Sequence, residues 1–449
     1  MTPNSVTPRA SFGVPSGRML ATVAAVALAA VALVLLRNSL LGLAVGTGFV
    51  LLSLKFPEIC FALLLTAGSY KEWLAPMLPL PFDYTVALTL LVGVAVLLRW
   101  GVHAATRNET RSRSQVPVGL VVALSLLALT VVLGGLATDA VYGREKAARF
   151  LALTVTAAAA AWAVLDSEAR LRRFLGVTIA LGLLMVVLGR VTSEGMVAMN
   201  ATHIATGRIL GLGIIGVLYF VLRARRATLR LLLLVPGVVL GYGFVYSGSR
   251  GALAALLAAF AATAAATLGM RRARRGIAVA AGTLALLGVA ISVLVPQSVE
   301  LMNKRMSQVS LDAPGMGVAG ERISLAREAW DIFVAHPLTG VGIGGFNLAV
   351  GYADSERGVY PHNILLELAS ELGLAGVGAF LLFAALALRQ VGLALKRGRF
   401  ALVILVLTIA GYSLANAMFS GDLNDNRILF MALGLCFALP KLVPERAEP

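Results

Sequence analysis

Apolar runs long enough to cross a bilayer recur along the whole chain. They lie near residues 18–36, 39–54, 57–69, 84–99, 116–136, 147–165, 172–189, 207–222, 229–246, 251–270, 276–295, 362–388, 400–418 and 427–441. A span takes roughly 20 mostly apolar residues, because about 30 Å of hydrocarbon is crossed at 1.5 Å per residue. The first three runs are short or tightly joined, so twelve to fourteen spans are expected. Charged residues are only 13% of the chain, against about 25% in a soluble domain. The expectation is one all-α polytopic transmembrane helical bundle with no separate soluble domain. It divides into spans with short loops over 1–295, one large loop over 296–361, and further spans over 362–449. The first run, Leu20 to Leu36, shows no small-residue cleavage pattern followed by a polar region, so it reads as a retained span rather than a signal peptide. Cys60 and Cys436 both fall inside apolar runs and read as buried packing residues, not as a disulfide.

A formal charge of +16 raises the question of nucleic acid, and its distribution answers it. Alternate connections are basic: Arg99, Arg107, Arg111 and Arg113; then Arg170, Arg172 and Arg173; then Arg223, Arg225, Arg226 and Arg230. Two more follow, with Arg271, Arg272, Arg274 and Arg275, and with Arg389, Lys396, Arg397 and Arg399. These five loops hold half of the 38 basic residues. The positive-inside rule puts them in the cytoplasm, next to anionic lipid. The other connections, 69–83, 137–146, 190–206, 247–250, 296–361 and 419–426, then face outward, and an even span count leaves both termini inside.

The outward side holds the polar chemistry. The 66-residue connection 296–361 is the only long one, and loops of that length in a compact protein are usually functional. Its "DAPGMGVAGE" portion is rich in Gly and Pro and reads as irregular. "ERISLAREAWDIFVAHPLTG" then reads as an amphipathic surface helix, with Ile323, Ala326, Trp330 and Val334 on the apolar face, ended by Pro337 and Gly340. The glycines of "GVGIGGF" permit a tight return but do not form a dinucleotide fingerprint.

Four arginines on this side are candidates. Arg250 follows the small turn Ser247-Gly248-Ser249 at a helix start, a geometry that favours anions. The competing reading is a side chain that snorkels to the interface. Arg322 opens the amphipathic helix, where a solvated charge is the alternative. Arg190 and Arg208 bracket "RVTSEGMVAMNATHIATGR" and either join a basic cluster or snorkel. Of the four histidines, His103 lies in a basic loop, His203 in an outer loop and His336 at a helix end, as a cap. His362 differs, because it stands where the long loop enters a span. It is either structural or a proton acceptor near neutral pH. Glu367 and Glu371, one turn apart, share a face and need partners: arginines, loop amides, or a proton relay. Asp422 and Asp425 form the nearest acidic cluster, sparse for a hard cation.

An arginine pair can grip a diphosphate bidentately and stabilise the charge that develops as it leaves. A histidine can take the proton of an attacking sugar hydroxyl. Together they describe glycosyl transfer from a lipid diphosphate sugar. One base and one displacement would invert the anomeric centre, without the second carboxylate of glycoside hydrolases.

Three segments in order, "SGSRGAL", "ERISLAREAWDIFVAHPLTGVGIGGF" and "PHNILLELASELGLAG", make the chain resemble the bacterial O-antigen ligases, over roughly residues 180–430. That superfamily also holds O-antigen polymerases and some protein O-oligosaccharyltransferases. The resemblance implies a GT-C-like membrane glycosyltransferase of the Gram-negative inner membrane, acting at the periplasmic face without metal or other cofactor. It implies transfer of a glycan from undecaprenyl diphosphate to lipid A–core. It maps the family's loop arginine onto Arg322, the arginine after the small turn onto Arg250, and the loop-end histidine onto His362. An acidic residue of the late outer loop corresponds to Asp422 or Asp425, and Arg190 and Arg208 are candidates for donor or core-phosphate contacts. The alternatives are a polymerase of the same superfamily, which extends the lipid-linked glycan, and a transporter of a polyanionic lipid. Transport favours mid-span charges and broken helices, of which few are evident.

Overall fold

The computed structural model describes residues 40–76, 83–105, 116–192, 195–267, 271–294, 296, 318–352, 359–397 and 400–442. The expected span at 18–36, most of the "DAPGMGVAGE" stretch, and Arg107, Arg111, Arg113 and Arg399 lie outside the described residues. The chain folds into helices α1 (Leu40–Lys55), α2 (Pro57–Thr66), α3 (Tyr84–Ala105) and α4 (Val118–Ala137). Next come α5 (Val141–Val164), which contains a π-helical stretch at Phe150–Val155, and α6 (Glu168–Leu188). Then follow α7 (His203–Arg223), α8 (Ala227–Tyr246), α9 (Arg250–Thr267) and α10 (Arg271–Leu294). The series ends with α11 (Val318–Ala335), α12 (Ile364–Lys396), α13 (Phe400–Phe419) and α14 (Arg427–Leu442).

Seven of these helices, α4, α5, α7, α8, α9, α12 and α13, are each long and apolar enough to cross a membrane. An eighth arises if the segments Thr47–Lys55 and Pro57–Ser69, bent by 108°, count as one broken span. This multi-pass architecture has fewer clear spans than the twelve to fourteen expected. The reasons are local. α6 begins with Glu168, Arg170, Arg172 and Arg173, and α14 has only 16 residues. The apolar parts of α3 and α10 are short, at Tyr84–Leu98 and Ile277–Ala290.

Helix α7 is the central strut, packed against α6, α8, α9 and α13. Its sequence allows this. Thr202 caps it, accepting from the Ala205 amide at 3.2 Å, and small residues let neighbours approach closely. At Gly211 an added Cβ would sit 2.1 Å from the Tyr412 hydroxyl of α13. Elsewhere α9 lies along α13, α12 along α4, and α14 along the second half of α5. Gly434 of α14 approaches the Ala158 carbonyl so closely that a Cβ would sit 2.0 Å from it.

Three local expectations need correction. The segment 137–146 is not simply a loop, since α5 starts at Val141 and buries Lys146. The segment after α6 forms a two-stranded antiparallel hairpin, β1 (Arg190–Thr192) with β2 (Gly195–Val197), in register Arg190 to Val197 and Thr192 to Gly195. It is a small departure from an all-α fold. Finally, α11 packs through Leu325 and Ala329 with Phe346, in a satellite core that includes Ile332 and Leu366. Ile323, Trp330 and Val334, on the apolar face read from the sequence, are 44%, 54% and 60% exposed. Periodicity alone found an apolar stripe but not which stripe meets the protein.

Helix α12 is broken near its start. Asn363 caps it, its Oδ1 accepting from the Leu365 and Leu366 amides at 3.0 and 3.2 Å. Gly373 then adopts φ +62°. A Cβ there would lie 2.4 Å from the Leu338 carbonyl carbon. The freed amides of Leu374 and Ala375 donate to the carbonyls of Pro337 and Leu338 instead, at 2.8 and 3.4 Å. The first two turns of α12 thus stand apart from the long apolar segment that follows.

Candidate functional site

The last turn of α13 gathers the site. A helix C-terminus leaves its final carbonyls without intrahelical partners and carries the negative end of the dipole, so it attracts cations and donors. Here the donors come from three distant parts of the chain. Arg208, in the second turn of α7, donates through Nη2 to the carbonyls of Asn416 (3.2 Å) and Ser420. Arg322, at the start of α11, donates through Nη1 to the Phe419 carbonyl at 3.1 Å. Asn363, beside His362, donates through Nδ2 to the Met418 carbonyl at 3.4 Å. The turn after α13 needs Gly421, at φ +77°, because a Cβ there would be 2.9 Å from Nη1 of Arg208.

Arg250 enters from a fourth direction. Gly251 abuts Phe419, with its Cβ position 3.5 Å from the Phe419 Cβ, and the Arg250 charge is felt at Arg322. The preceding serines were expected to shape an anion-friendly turn. They are buried instead, and they hold that turn: Ser247 Oγ donates to the Phe244 carbonyl at 2.7 Å and accepts from the Ser249 amide at 3.3 Å. Both pack on Gly207, next to Arg208.

His362 sits in the left-handed region at φ +56°, where a non-glycine residue is strained. Its ring lies 4.4 Å from that of Tyr360, centroid to centroid. Burial, and then the charges of Arg322 and Arg208, push its pKa down to about 4. The imidazole is therefore neutral at pH 7 and able to accept a proton. Burial also lowers Arg322 below the usual guanidinium value, and Arg250 adds to this. Arg322 remains cationic. Three buried polar atoms of this cluster have no hydrogen-bond partner among the described residues: Arg208 Nε, Arg322 Nε and His362 Nδ1. Buried donors are seldom left so. Two cations presenting spare N–H groups beside a neutral imidazole suit a polyanion with a hydroxyl nearby.

Of the sequence-level candidates, Arg250, Arg322, Arg208 and His362 come together. Arg190 does not join them; it lies exposed on β1. The two aspartates separate in role. Asp422 is buried, accepting from the Tyr142 hydroxyl at 3.1 Å and from the Asp425 amide at 2.8 Å. Asp425 is exposed, on the Arg208 side of the turn. Among the described residues no group of three or more His, Cys, Asp or Glu side chains is placed to hold a metal ion.

Sequence reasoning missed Lys146. It is buried, with Nζ 2.6 Å from Glu367 Oε1 and 2.7 Å from both oxygens of Glu371. Glu367 Oε1 also accepts from the Leu423 amide at 3.0 Å, and the Lys146 carbonyl accepts from Asn424 Nδ2 at 3.1 Å. The network ties α5 and α12 to the 421–426 turn, directly behind the arginine cluster. The acids were expected to pair with arginines or loop amides; a lysine and an amide take them. The available signal was the spacing of Tyr142 and Lys146, four residues apart like the two glutamates.

Compared with known families, residues 235–381 match the family model described as O-antigen ligase. The match covers less than half of the chain and contains Arg250, Arg322 and His362, while Arg208 and Asp422 lie outside it. No curated protein matches the chain.

Proposed function

We propose that this member of the O-antigen ligase/polymerase superfamily is the ligase. It moves an O-antigen glycan from undecaprenyl diphosphate to a hydroxyl of lipid A–core. In this reading Arg250 and Arg322 bind the diphosphate, Arg208 adds a third cation, and His362 is the general base. The acceptor oxygen attacks the anomeric carbon while its proton passes to His362. The bond from that carbon to the diphosphate oxygen breaks, and its electron pair leaves with the phosphate. The guanidinium groups stabilise that charge, so no acid need protonate the leaving group and the configuration inverts. A GT-C-like fold goes with this reading.

What supports it most is the convergence of Arg208 Nε, Arg322 Nε and the ring nitrogen Nδ1 of His362, none of which has a partner among the described residues. The low basicity of His362 fits a donor-gated step. Burial is the larger cause of that low value; an anion lying between the arginines cancels the smaller part owed to their charges, and to that extent the base strengthens when donor is bound. The geometry of α7 supports the choice of membrane side. Arg208 is near its start and Arg223 ends it, bonded to Glu168 at 2.9 Å in the basic-loop region. The 21 residues of α7 span about 30 Å, so the arginine cluster and the basic loops belong to opposite faces. With the basic loops in the cytoplasm, this arrangement supports a site at the periplasmic face.

The test is transfer by purified protein in detergent, with one lipid-linked donor and either lipid A–core or a second lipid-linked glycan as acceptor. Glycan on lipid A–core supports the ligase. Glycan only on the lipid-linked acceptor makes the protein a polymerase, and no transfer in detergent leaves transport as the reading. His362→Ala should lower turnover by about 10²- to 10⁴-fold.

A further inference from the structure

Helix α11 has three sides. At 3.6 residues per turn, one side carries Leu325 and Ala329, packed on the protein. A second is polar and carries Ser324, Glu328 and Asp331, with Ser324 Oγ donating to Glu328 at 2.9 Å. The third is a row of large apolar side chains facing away from the protein. Ile323, Trp330 and Val334 fall within a sector of roughly 40° on the helix. Leu338, just past the helix end, continues the row and is 68% exposed. Arg327, exposed one turn after Ile323, stands at the margin of this row, where its stem can lie along the edge with the charge in water; an exposed apolar edge of this kind marks a surface that something covers.

What covers it follows from where the helix is pinned. Its C-terminal side is bonded to the break in α12, through the Leu374 amide to the Pro337 carbonyl at 2.8 Å. Beyond that break the large apolar side chains exposed on α12 are leucines, among them Leu374, Leu381 and Leu388 at 53%, 52% and 57%. On a helix long and apolar enough to cross a membrane, such residues face lipid. Leu338 and Leu374 therefore join the free edge of α11 to the lipid-facing surface of α12. At the other end, Arg322 is bonded to the last turn of α13, also a candidate span. Both ends of α11 thus stand where spans begin.

We propose that α11 lies in the bilayer interface, with the Ile323–Trp330–Val334 edge in the acyl region of phospholipid and the Ser324–Asp331 side in water. A tryptophan at this depth is favoured, and a helix with such an edge binds a bilayer surface. The seating has a consequence for the site, which rests on the proposed function. Arg322 extends toward the bundle from the second turn of the same helix, so lipid contact along the edge holds its guanidinium at headgroup depth. The diphosphate of a membrane-bound donor lies at that depth.

The experiment uses full-length protein in nanodiscs made with phospholipids brominated on the acyl chain. The chain has four tryptophans, so the Trp330 signal is the difference between the native protein and Trp330→Phe. That component should emit at short wavelength and be quenched by the bromolipids, most by bromines near the headgroup. Should Trp330→Phe fold poorly, a nitroxide on Val334→Cys gives a second reading, with oxygen accessibility exceeding that of a nickel chelate. Cys60 and Cys436 are buried and leave the label at one position. Quenching of the Trp330 component by aqueous iodide but not by bromolipid would overturn the proposal, as would disulfide dimers of Val334→Cys, which would make the occupant a second copy. None of these readouts uses glycan transfer, so their failure leaves the proposed reaction standing, and a failed transfer assay leaves the seating of α11 standing.

Discussion

His362 illustrates how much of a residue's chemistry comes from its surroundings. An isolated imidazole titrates near 6.5, but half-burial beside Arg322 and Arg208 pushes this one to about 4. The fold therefore favours its neutral form. The associated stability is complete above about pH 6.5 and is lost as pH falls toward the folded-state value of about 4. Measured in detergent from pH 7 to 4, the melting temperature of the native protein should fall relative to that of His362→Gln. In the transfer assay, kcat/KM should stay level through the usual histidine range and fall only as pH nears the low folded value. A fall centred near 6.5 would point to another base. Arg322 gives the companion prediction. Its planar fork reaches the Phe419 carbonyl with one nitrogen and leaves Nε spare. A lysine keeps the charge but not the fork, so Arg322→Lys should lower turnover by about 10²-fold or more, with normal expression.

At the scale of elements, the notable feature is how the site is braced. The carbonyls that hold Arg208 and Arg322 belong to the end of α13, and the turn that follows is fastened to α5 and α12 by Lys146, Glu367 and Asn424. A buried ion pair contributes little net stability, yet removing one partner leaves a bare buried charge. Lys146→Met should therefore destabilise the protein by about 3–5 kcal/mol. Adding Glu367→Gln and Glu371→Gln to it should recover a large part of that loss, as read by denaturant or thermal unfolding of all the variants. Gly373 is a second brace. Its positive φ and the 2.4 Å approach of Leu338 leave no room for a side chain. Gly373→Ala should destabilise by roughly 2 kcal/mol or more, and by more than Ala substitution at Gly378, where a Cβ meets nothing.

For the whole molecule, the prediction concerns sidedness. The Arg208 end of α7 and the Arg223 end are a bilayer apart, and the basic connections lie with the second. Reporter fusions in the 224–226 and 166–167 connections should read as cytoplasmic, and a tag in the 190–202 segment as periplasmic. Reversed labelling would put the arginine cluster on the wrong side for a periplasmic acceptor.

Sequence alone determined that the chain is a multi-pass helical membrane protein and where its helices run, because a lipid environment demands long apolar segments. It also picked out Arg250, Arg322 and His362, because charged and titratable groups at the margin of apolar runs are conspicuous. It did not determine which side of α11 meets protein, since two apolar edges obey the same periodicity and only a neighbour distinguishes them. Nor did it separate Arg208 from Arg190, or Asp422 from Asp425. Those pairs have like local sequence, and their fates depend on what stands opposite: a row of α13 carbonyls for Arg208, the Tyr142 hydroxyl for Asp422. Lys146 was hidden for the same reason. Its partners are more than two hundred residues away, and an ion pair across that distance exists only once the helices have packed.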